Sequence, residues 1–293
     1  MLEKLRQAKR IGLVLGGGSM RCAFQVGVIE CLRELLLEPS VCIGVSGGAW
    51  NAAAVAARTD QRLRYYWRSF ARMPYISLFN LAREHSPFMF RTVHHRTFSR
   101  YVGSDRLKHA NAIPCFVMLS RLRDRTPLLV DLREVDDPLE VLLATNYLPP
   151  YYTHAPRIQG ERCGDGGMAN NCPYEAAFEQ GCDAVILVAV KGESEGGLYR
   201  NPGNTDHQIP PAYRDSVVVI RPRHRLPFSF TERRLPALEK LMDLGYLRAR
   251  EVLLGERYDE TEIRAEGEAP TLRIARLLRG LSRKPVPMDV AAE

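Results

Sequence analysis

Ser46 stands at the centre of the segment Gly44-Val45-Ser46-Gly47-Gly48, where its hydroxyl could serve as a nucleophile. Glycines on both sides allow a turn so tight that the serine is presented in the open, beside the N-terminus of a helix. The apolar residues 41–43 predict a buried strand before this turn, and the alanine-rich residues 49–57 predict a helix after it. The spacing therefore predicts a nucleophile elbow.

A second glycine-rich segment, Gly16-Gly17-Gly18, lies between the apolar residues 11–15 and a helix predicted over residues 23–37. Backbone amides at such a junction can hold an anion, either a phosphate or the oxyanion of a tetrahedral intermediate. A phosphate site is disfavoured because no P-loop lysine is present and Arg21 stands at the last glycine of a dinucleotide fingerprint. The segment is better explained as an oxyanion hole.

The third candidate is Asp165, which is followed by Gly166-Gly167. An Asp-Gly pair taken alone is more typical of an ordinary turn. Beside an elbow and a glycine loop, however, the aspartate is a candidate base that could take the proton of Ser46. We therefore predict that these three segments converge on one site.

A histidine is the more usual base for a serine nucleophile, but the histidines of this chain have no distinctive setting. His207 lies in a predicted loop, and His224 lies among arginines that would lower its basicity. The earlier histidines are expected to be surface or packing residues: His85, His94, His95, His109 and His154. The sequence therefore favours a Ser46–Asp165 dyad over a triad.

With these three motifs in this order, the chain resembles the patatin-like phospholipase family. The resemblance runs from about residue 11 to residue 220, includes a first helix that begins at residues 23–28, and is nearest to the bacterial branch over residues 13–21. Ser19 and Cys22 stand where the family usually has glycine. Ser19 keeps its backbone amide, whereas Cys22 adds bulk where the helix starts close to the sheet.

The resemblance implies a three-layer α/β/α sandwich with a mostly parallel central sheet and an arginine- and aromatic-rich helical insertion. It also implies hydrolysis of the acyl esters of lipids without a metal or any other cofactor. The implied site consists of Ser46 as nucleophile, Asp165 as base, an oxyanion hole of Gly17, Gly18, Ser19 and Arg21, and the motif glycines Gly16, Gly44, Gly47, Gly48, Gly166 and Gly167.

The elements that must position these residues follow from apolar periodicity. Strands are predicted at residues 11–15, 41–43, 115–119, 127–130, 185–190 and 217–220, and helices at 23–37, 49–57, 139–144 and 235–254, with a long loop over 191–213. This order is typical of a parallel α/β sheet. We expect an acyl hydrolase domain over residues 8–225 with an insertion at about 58–110, a helical extension over 226–284 packed on the same domain, and a disordered tail over 285–293.

The insertion is strongly basic: between Arg58 and Lys108, eleven arginines and lysines face three acidic residues, and ten aromatic residues are interspersed. Two interpretations remain open. The segment could be a lid whose cations, among them Arg62, Arg64 and Arg68, contact anionic phospholipid head groups. It could equally be a solvated helical surface that covers an aromatic mini-core. A lipid substrate and peripheral contact with an anionic membrane are the expected partners, and nucleic acid is not.

Composition sets wider limits. The chain has 293 residues, 45% of them hydrophobic, and a net charge of +7. It has no apolar run near the roughly 20 residues that span a bilayer and no signal peptide, so we expect a cytoplasmic protein with peripheral membrane contact. Seven scattered cysteines without metal-ligand spacing are expected to be reduced structural thiols.

Three functions remain at this stage: a lipid acyl hydrolase, a soluble esterase or thioesterase of the same fold, and a non-catalytic membrane- or partner-binding protein. An apolar channel under the insertion would favour the first, and a shallow polar pocket would favour the second.

Overall fold

A computed structural model describes residues 1–74, 76–77, 79–80, 88–149, 152–199, 208–227, 229 and 232–258. Its strands are β1 (Ile11–Leu15), β2 (Val41–Val45), β3 (Cys115–Arg121), β4 (Pro127–Asp131), β5 (Arg157–Ile158), β6 (Glu161–Asp165), β7 (Ala184–Val188) and β8 (Val217–Ile220). The predicted strands are all present. The sequence missed β5 and β6, because β6 contains a glycine and three charged residues and has no apolar alternation.

The strands form one mixed sheet in the hydrogen-bonded order β5-β6-β3-β2-β1-β7-β8, with β4 also paired to β3. Neighbours from β3 through β2, β1 and β7 to β8 are parallel, whereas β4 and β6 run antiparallel to β3 and β5 runs antiparallel to β6. The centre of the sheet is therefore parallel, as expected.

Helices cover both faces of this sheet. The described helices are α1 (Leu2–Gln7), α2 (Ala23–Glu34), α3 (Gly47–Ala56), α4 (Leu63–Arg72), α5 (Phe90–Tyr101), α6 (Ser104–Lys108), α7 (Pro138–Ala144), α8 (Tyr174–Glu179), α9 (Pro211–Arg214) and α10 (Leu235–Leu254). Alternate residues of β1 enter two separate cores: Leu13 and Leu15 pack with α2, α3 and α10, whereas Val14 packs with α8. The result is the three-layer α/β/α sandwich, and α4, α5 and α6 form the helical insertion.

Helix α10 crosses α2 at very short range. A Cβ atom on Gly27 of α2 would lie 1.7 Å from the carbonyl oxygen of Met242, and one on Gly245 would lie 1.8 Å from that of Phe24. Glycine on both helices therefore allows the two backbones to touch. This contact attaches the described part of the predicted C-terminal extension to α2, which packs on the sheet.

Arg64 of α4 is an internal ion-pair centre. Its guanidinium donates to both carboxylate oxygens of Glu30, at 2.6 and 2.8 Å, and also to Glu239 and Asp243, at 3.0 and 3.2 Å. Its side chain is only 14% exposed, and Arg68 beside it also pairs with Glu239. Both arginines are thus paired internally with carboxylates of α2 and α10, and their contact with head groups stays a prediction.

The aromatic mini-core does form under the insertion. Tyr66, Trp67 and Phe70 of α4 are buried and pack against one another and against residues of α5.

All seven cysteines are buried and unpaired. No helix in the described ranges has the length and apolar character needed to cross a membrane. The predicted tail over 285–293 and the part of the predicted extension beyond residue 258 lie outside the described residues.

Candidate active site

The strand pairing brings Ser46 and Asp165 together. On β3, Phe116 pairs with both β2 and β4, and Leu119 pairs with both β4 and β6. Because a strand has only two hydrogen-bonding sides, β2 and β6 must lie on the same side of β3. The antiparallel β6 therefore continues the line of β2 beyond its end. Ser46, which follows β2, and Asp165, which ends β6, meet where the two strands converge.

The elbow holds Ser46 in a strained backbone conformation. Ser46 has a φ of 51° and a ψ of −128°, a region in which a non-glycine residue costs of order 1–3 kcal/mol. The following turn leaves no space for side chains: a Cβ atom on Gly48 would lie 2.3 Å from the carbonyl oxygen of Leu15. Helix α3 therefore starts directly against β1 and presents Ser46 at the carboxyl edge of the sheet.

Ser46 Oγ donates a hydrogen bond of 2.7 Å to Asp165 Oδ2, and the amide of Gly167 donates one of 2.8 Å to Asp165 Oδ1. Burial raises the pKa of Asp165 from 3.8 to about 6, while the hydrogen bonds from Gly167 and Ser46 oppose the rise. Desolvation is therefore the dominant influence. The carboxylate is ionised at neutral pH and is more basic than an exposed aspartate.

The glycine loop is fixed by Asn171, a residue that the sequence did not single out. The amide of Gly17 donates to Asn171 Oδ1 at 3.0 Å, and Asn171 Nδ2 donates back to the Gly17 carbonyl at 3.2 Å. The Gly17 amide is thus engaged by Asn171 in this structure, and its part in the oxyanion hole stays a prediction. A carboxamide six residues after Asp165 was the available signal, but its target could not be inferred.

The next peptide group of this loop, Gly17–Gly18, has the opposite orientation to the Gly16–Gly17 peptide: its carbonyl, and not its amide, faces Asn171. In a trans peptide the carbonyl and the next amide point in opposite directions. Since the Gly17 carbonyl faces Asn171, the Gly18 amide points away from it. Ser19 follows with a φ of 52°, a left-handed conformation that explains why glycine is usual at this position.

The remaining predicted residues lie around these groups. Arg21 and Gly47 line the same cavity as Ser46. The Gly16 amide donates to the carbonyl of Val188 at 2.9 Å. Gly44 lies against Ala49 of α3, and Gly166 lies against the Met118 carbonyl of β3. The structure thus brings all the predicted site residues to one edge of the sheet.

Ser46 and Asp165 open into a cavity of about 600 Å³. Its walls are mainly apolar and aromatic. Most of these residues come from the insertion, namely Tyr66, Trp67, Phe70, Ile76, Phe88, Phe90 and His94, and the others are Trp50, Leu148 and Tyr152. An apolar channel under the insertion is the feature that distinguishes a lipid hydrolase from an esterase with a shallow polar pocket.

No described histidine contacts the Ser46–Asp165 pair. His94 lines the cavity, but it stacks on Trp50 with ring centroids 4.2 Å apart, and burial lowers its pKa to about 3. His154 pairs with Glu140 instead. His207 lies outside the described residues. Within those residues there is also no group of three side chains arranged to hold a metal ion.

The sheet, the strained serine turn and the facing glycine loop define an α/β protein with a nucleophile elbow. The family model for patatin-like phospholipases matches residues 13–178, more than half of the chain. The chain belongs to the patatin-like phospholipase family.

Curated relatives match over a short stretch. A patatin-like phospholipase domain-containing protein of Pyricularia oryzae is 44% identical over 55 residues, which is 19% of this chain and 7% of that protein. One of Aspergillus niger is 38% identical over 69 residues, 21% of this chain and 9% of that protein. The chain thus spans under a tenth of the length of these relatives. They are fungal, so the expected bacterial branch is not confirmed.

Two solved structures are also similar. VipD from Legionella pneumophila has a TM-score of 0.49 and 11% identity, with 84% of this chain and 67% of that chain covered. The type III effector protein ExoU has a TM-score of 0.43 and 14% identity, with 84% and 53% covered.

Proposed function

We propose that this protein is a lipid acyl hydrolase that cleaves fatty-acyl esters of phospholipids through a Ser46–Asp165 dyad. The observation that carries the proposal is the 2.7 Å hydrogen bond from Ser46 Oγ to Asp165 Oδ2 at the opening of an apolar cavity. Family membership supports the same reaction class.

In the proposed reaction, Asp165 accepts the hydroxyl proton as Ser46 Oγ attacks the ester carbonyl carbon. The tetrahedral intermediate collapses to an acyl-serine, and Asp165 gives the proton to the departing alcohol oxygen. Asp165 then takes a proton from water as the water oxygen attacks the acyl-serine, and it returns this proton to Ser46 Oγ as the bond to Oγ breaks and the fatty acid leaves. The raised pKa of Asp165 suits a group that must both accept and return a proton near neutral pH.

The oxyanion is assigned to the amides of Gly18 and Ser19, with positive charge from Arg21 nearby. The orientation of the Gly17–Gly18 peptide supports this assignment, because Asn171 holds its carbonyl and leaves its amide on the opposite side. Preorganised donors of this kind stabilise the charge that develops in the transition state.

The acyl chain is assigned to the cavity beneath the insertion, whose aromatic walls suit an alkyl chain. Two of the apolar residues that line it are also exposed to solvent: Ile76 is 65% exposed and Leu148 44%. An exposed apolar rim around an apolar cavity favours docking on a lipid surface. We therefore assign membrane contact to this rim and to exposed arginines such as Arg62 and Arg72, in place of Arg64 and Arg68.

The test is mass-spectrometric analysis of products after incubation with mixed phospholipid vesicles. Wild type should release free fatty acid and lysophospholipid, and Ser46→Ala, purified as a folded protein, should release neither. Equal product release by the two proteins would end the proposal.

The docking rim needs a separate comparison. Ile76→Ser combined with Leu148→Ser should lower vesicle co-sedimentation and vesicle hydrolysis by more than it lowers turnover of a short soluble ester. Val219→Ala, on the sheet away from the cavity, is the control. Unchanged co-sedimentation would refute the rim assignment and leave the reaction assignment standing.

A further inference from the structure

Three buried side chains connect the wall of the cavity to the glycine loop. Trp67 Nε1 donates to Asn51 Oδ1 at 2.9 Å, Asn51 Nδ2 donates to Gln25 Oε1 at 2.9 Å, and Gln25 Nε2 donates to the Gly16 carbonyl at 2.6 Å. Gln25 and Asn51 are completely buried, and Trp67 is 4% exposed. The chain of hydrogen bonds therefore runs through the interior between α4, α3 and α2.

The two carboxamides have their hydrogen-bonding groups occupied. Asn51 Nδ2 also donates to the Cys22 carbonyl at 3.0 Å, and Gln25 Nε2 lies 3.5 Å from the Val188 carbonyl. Buried carboxamides are costly unless every group finds a partner, and an apolar pair would pack the same space more simply. Because each of these polar groups has a partner in a hydrophobic layer, the network holds its side chains and their partners in one arrangement.

The geometry that it fixes is that of the Gly16–Gly17 peptide. Gln25 holds the carbonyl of this peptide, and Asn171 Oδ1 accepts from its amide at 3.0 Å on the opposite side. The carbonyl and the amide of a trans peptide point in opposite directions within its plane, so the two carboxamides hold one peptide group at its two opposite edges. Because the next peptide begins at Gly17, this clamp sets the direction of the Gly18 amide.

We propose that Gln25 and Asn51 are positioning residues that aim the Gly18 amide at the oxyanion, and that Trp67 connects this alignment to the cavity wall. The inference rests on the proposed function, because an oxyanion forms at this site only if the ester hydrolysis takes place. Neither side chain touches substrate. A small rotation of the loop would displace the amide from the oxyanion, and displacements of about 1 Å can cost about 100-fold in rate.

The central variant is Gln25→Met, which keeps the length of the side chain but removes its donor. We expect kcat on a soluble ester to fall about 10- to 100-fold with little change in KM, because the loss concerns the transition state. Trp67→Phe removes the most distant hydrogen bond, together with part of the cavity wall, and should lower kcat on a short soluble ester less. It also provides a milder variant should Gln25→Met fold poorly.

The control is Val28→Ala on the same helix, a buried position outside this network that should lower stability without affecting kcat. Amide hydrogen exchange of the loop peptide supplies a readout independent of activity. The Gly17 amide should exchange faster in Gln25→Met than in wild type, and at the wild-type rate in Val28→Ala after correction for global stability.

Unchanged kcat in Gln25→Met, or an equal fall in Val28→Ala at a matched loss of stability, would overturn the positioning role while the proposed function stands. Absence of any hydrolysis by wild type would instead end the proposed function. In that case the hydrogen-exchange rate of the Gly17 amide still decides whether Gln25 holds the glycine loop in place.

Discussion

Replacing Asp165 by asparagine should slow hydrolysis by orders of magnitude and at the same time stabilise the fold, by an amount that grows with pH. Burial raises the pKa of this carboxyl from 3.8 to about 6, so the folded protein binds the proton more tightly than the unfolded chain does. The free energy of unfolding therefore falls as pH rises through this window, and the full cost applies above pH 6. Asparagine carries no charge and avoids this cost.

The magnitude follows from the pKa difference. About two pKa units correspond to about 3 kcal/mol of destabilisation by the ionised carboxylate at pH 8. At pH 4.5 the folded carboxyl is largely protonated, and the same linkage relation leaves a cost of about 1 kcal/mol. The advantage of Asp165→Asn should thus grow by about 2 kcal/mol between the two pH values. Effects of the altered hydrogen bonds to Ser46 and Gly167 are independent of pH and cancel in this difference.

Urea denaturation of wild type and Asp165→Asn at pH 4.5 and pH 8.0 measures this quantity. Asp136→Asn, at an exposed acid, is the matched control and should show no comparable change. If the stability difference between wild type and Asp165→Asn were the same at both pH values, the carboxyl of Asp165 would not have a raised pKa, and the reasoning about its basicity would fail.

Three further outcomes are expected. Arg64→Gln should lower the free energy of unfolding by about 3 kcal/mol, because it removes the largely buried cation that pairs with Glu30, Glu239 and Asp243, whereas Arg62→Gln should change it little in the same urea titration. Asp165→Asn should lower kcat on a soluble ester by about 10²- to 10⁴-fold and His224→Ala by no more than a few-fold; an equal loss in both would require a triad. Hydrolysis should withstand EDTA, since the proposed base is a carboxylate, and a loss restored by calcium or zinc would contradict this.

Much of the fold could be predicted because its signals are local. The short apolar run of β1 and the alanine-rich run of α3 are enough to predict these two elements. The glycines that follow β1 and those that precede α3 indicate close turns. Helix α10 was predicted with its observed bounds, since its apolar positions recur at helical spacing. The three motifs were also expected to converge, because a serine elbow and an oxyanion loop require a base beside them.

The parts that sequence could not supply depend on distant partners. The engagement of the Gly17 amide depends on a side chain 154 positions later, and the pairing of Arg64 depends on acids of α2 and α10. A basic helix can face lipid or an internal acidic cluster, and composition does not distinguish the two. Strand β6 was missed because its role is to deliver Asp165 and not to fill the core.

The central claim is that Ser46 is a nucleophile activated by Asp165, and covalent labelling by a fluorophosphonate tests it most directly. After reaction with wild type, peptide mass spectrometry should locate one adduct on Ser46. Ser46→Ala should carry none, and Asp165→Asn should react at least about 100-fold more slowly. No adduct in folded wild type, an adduct on another residue, or labelling of Asp165→Asn at the wild-type rate would contradict the account.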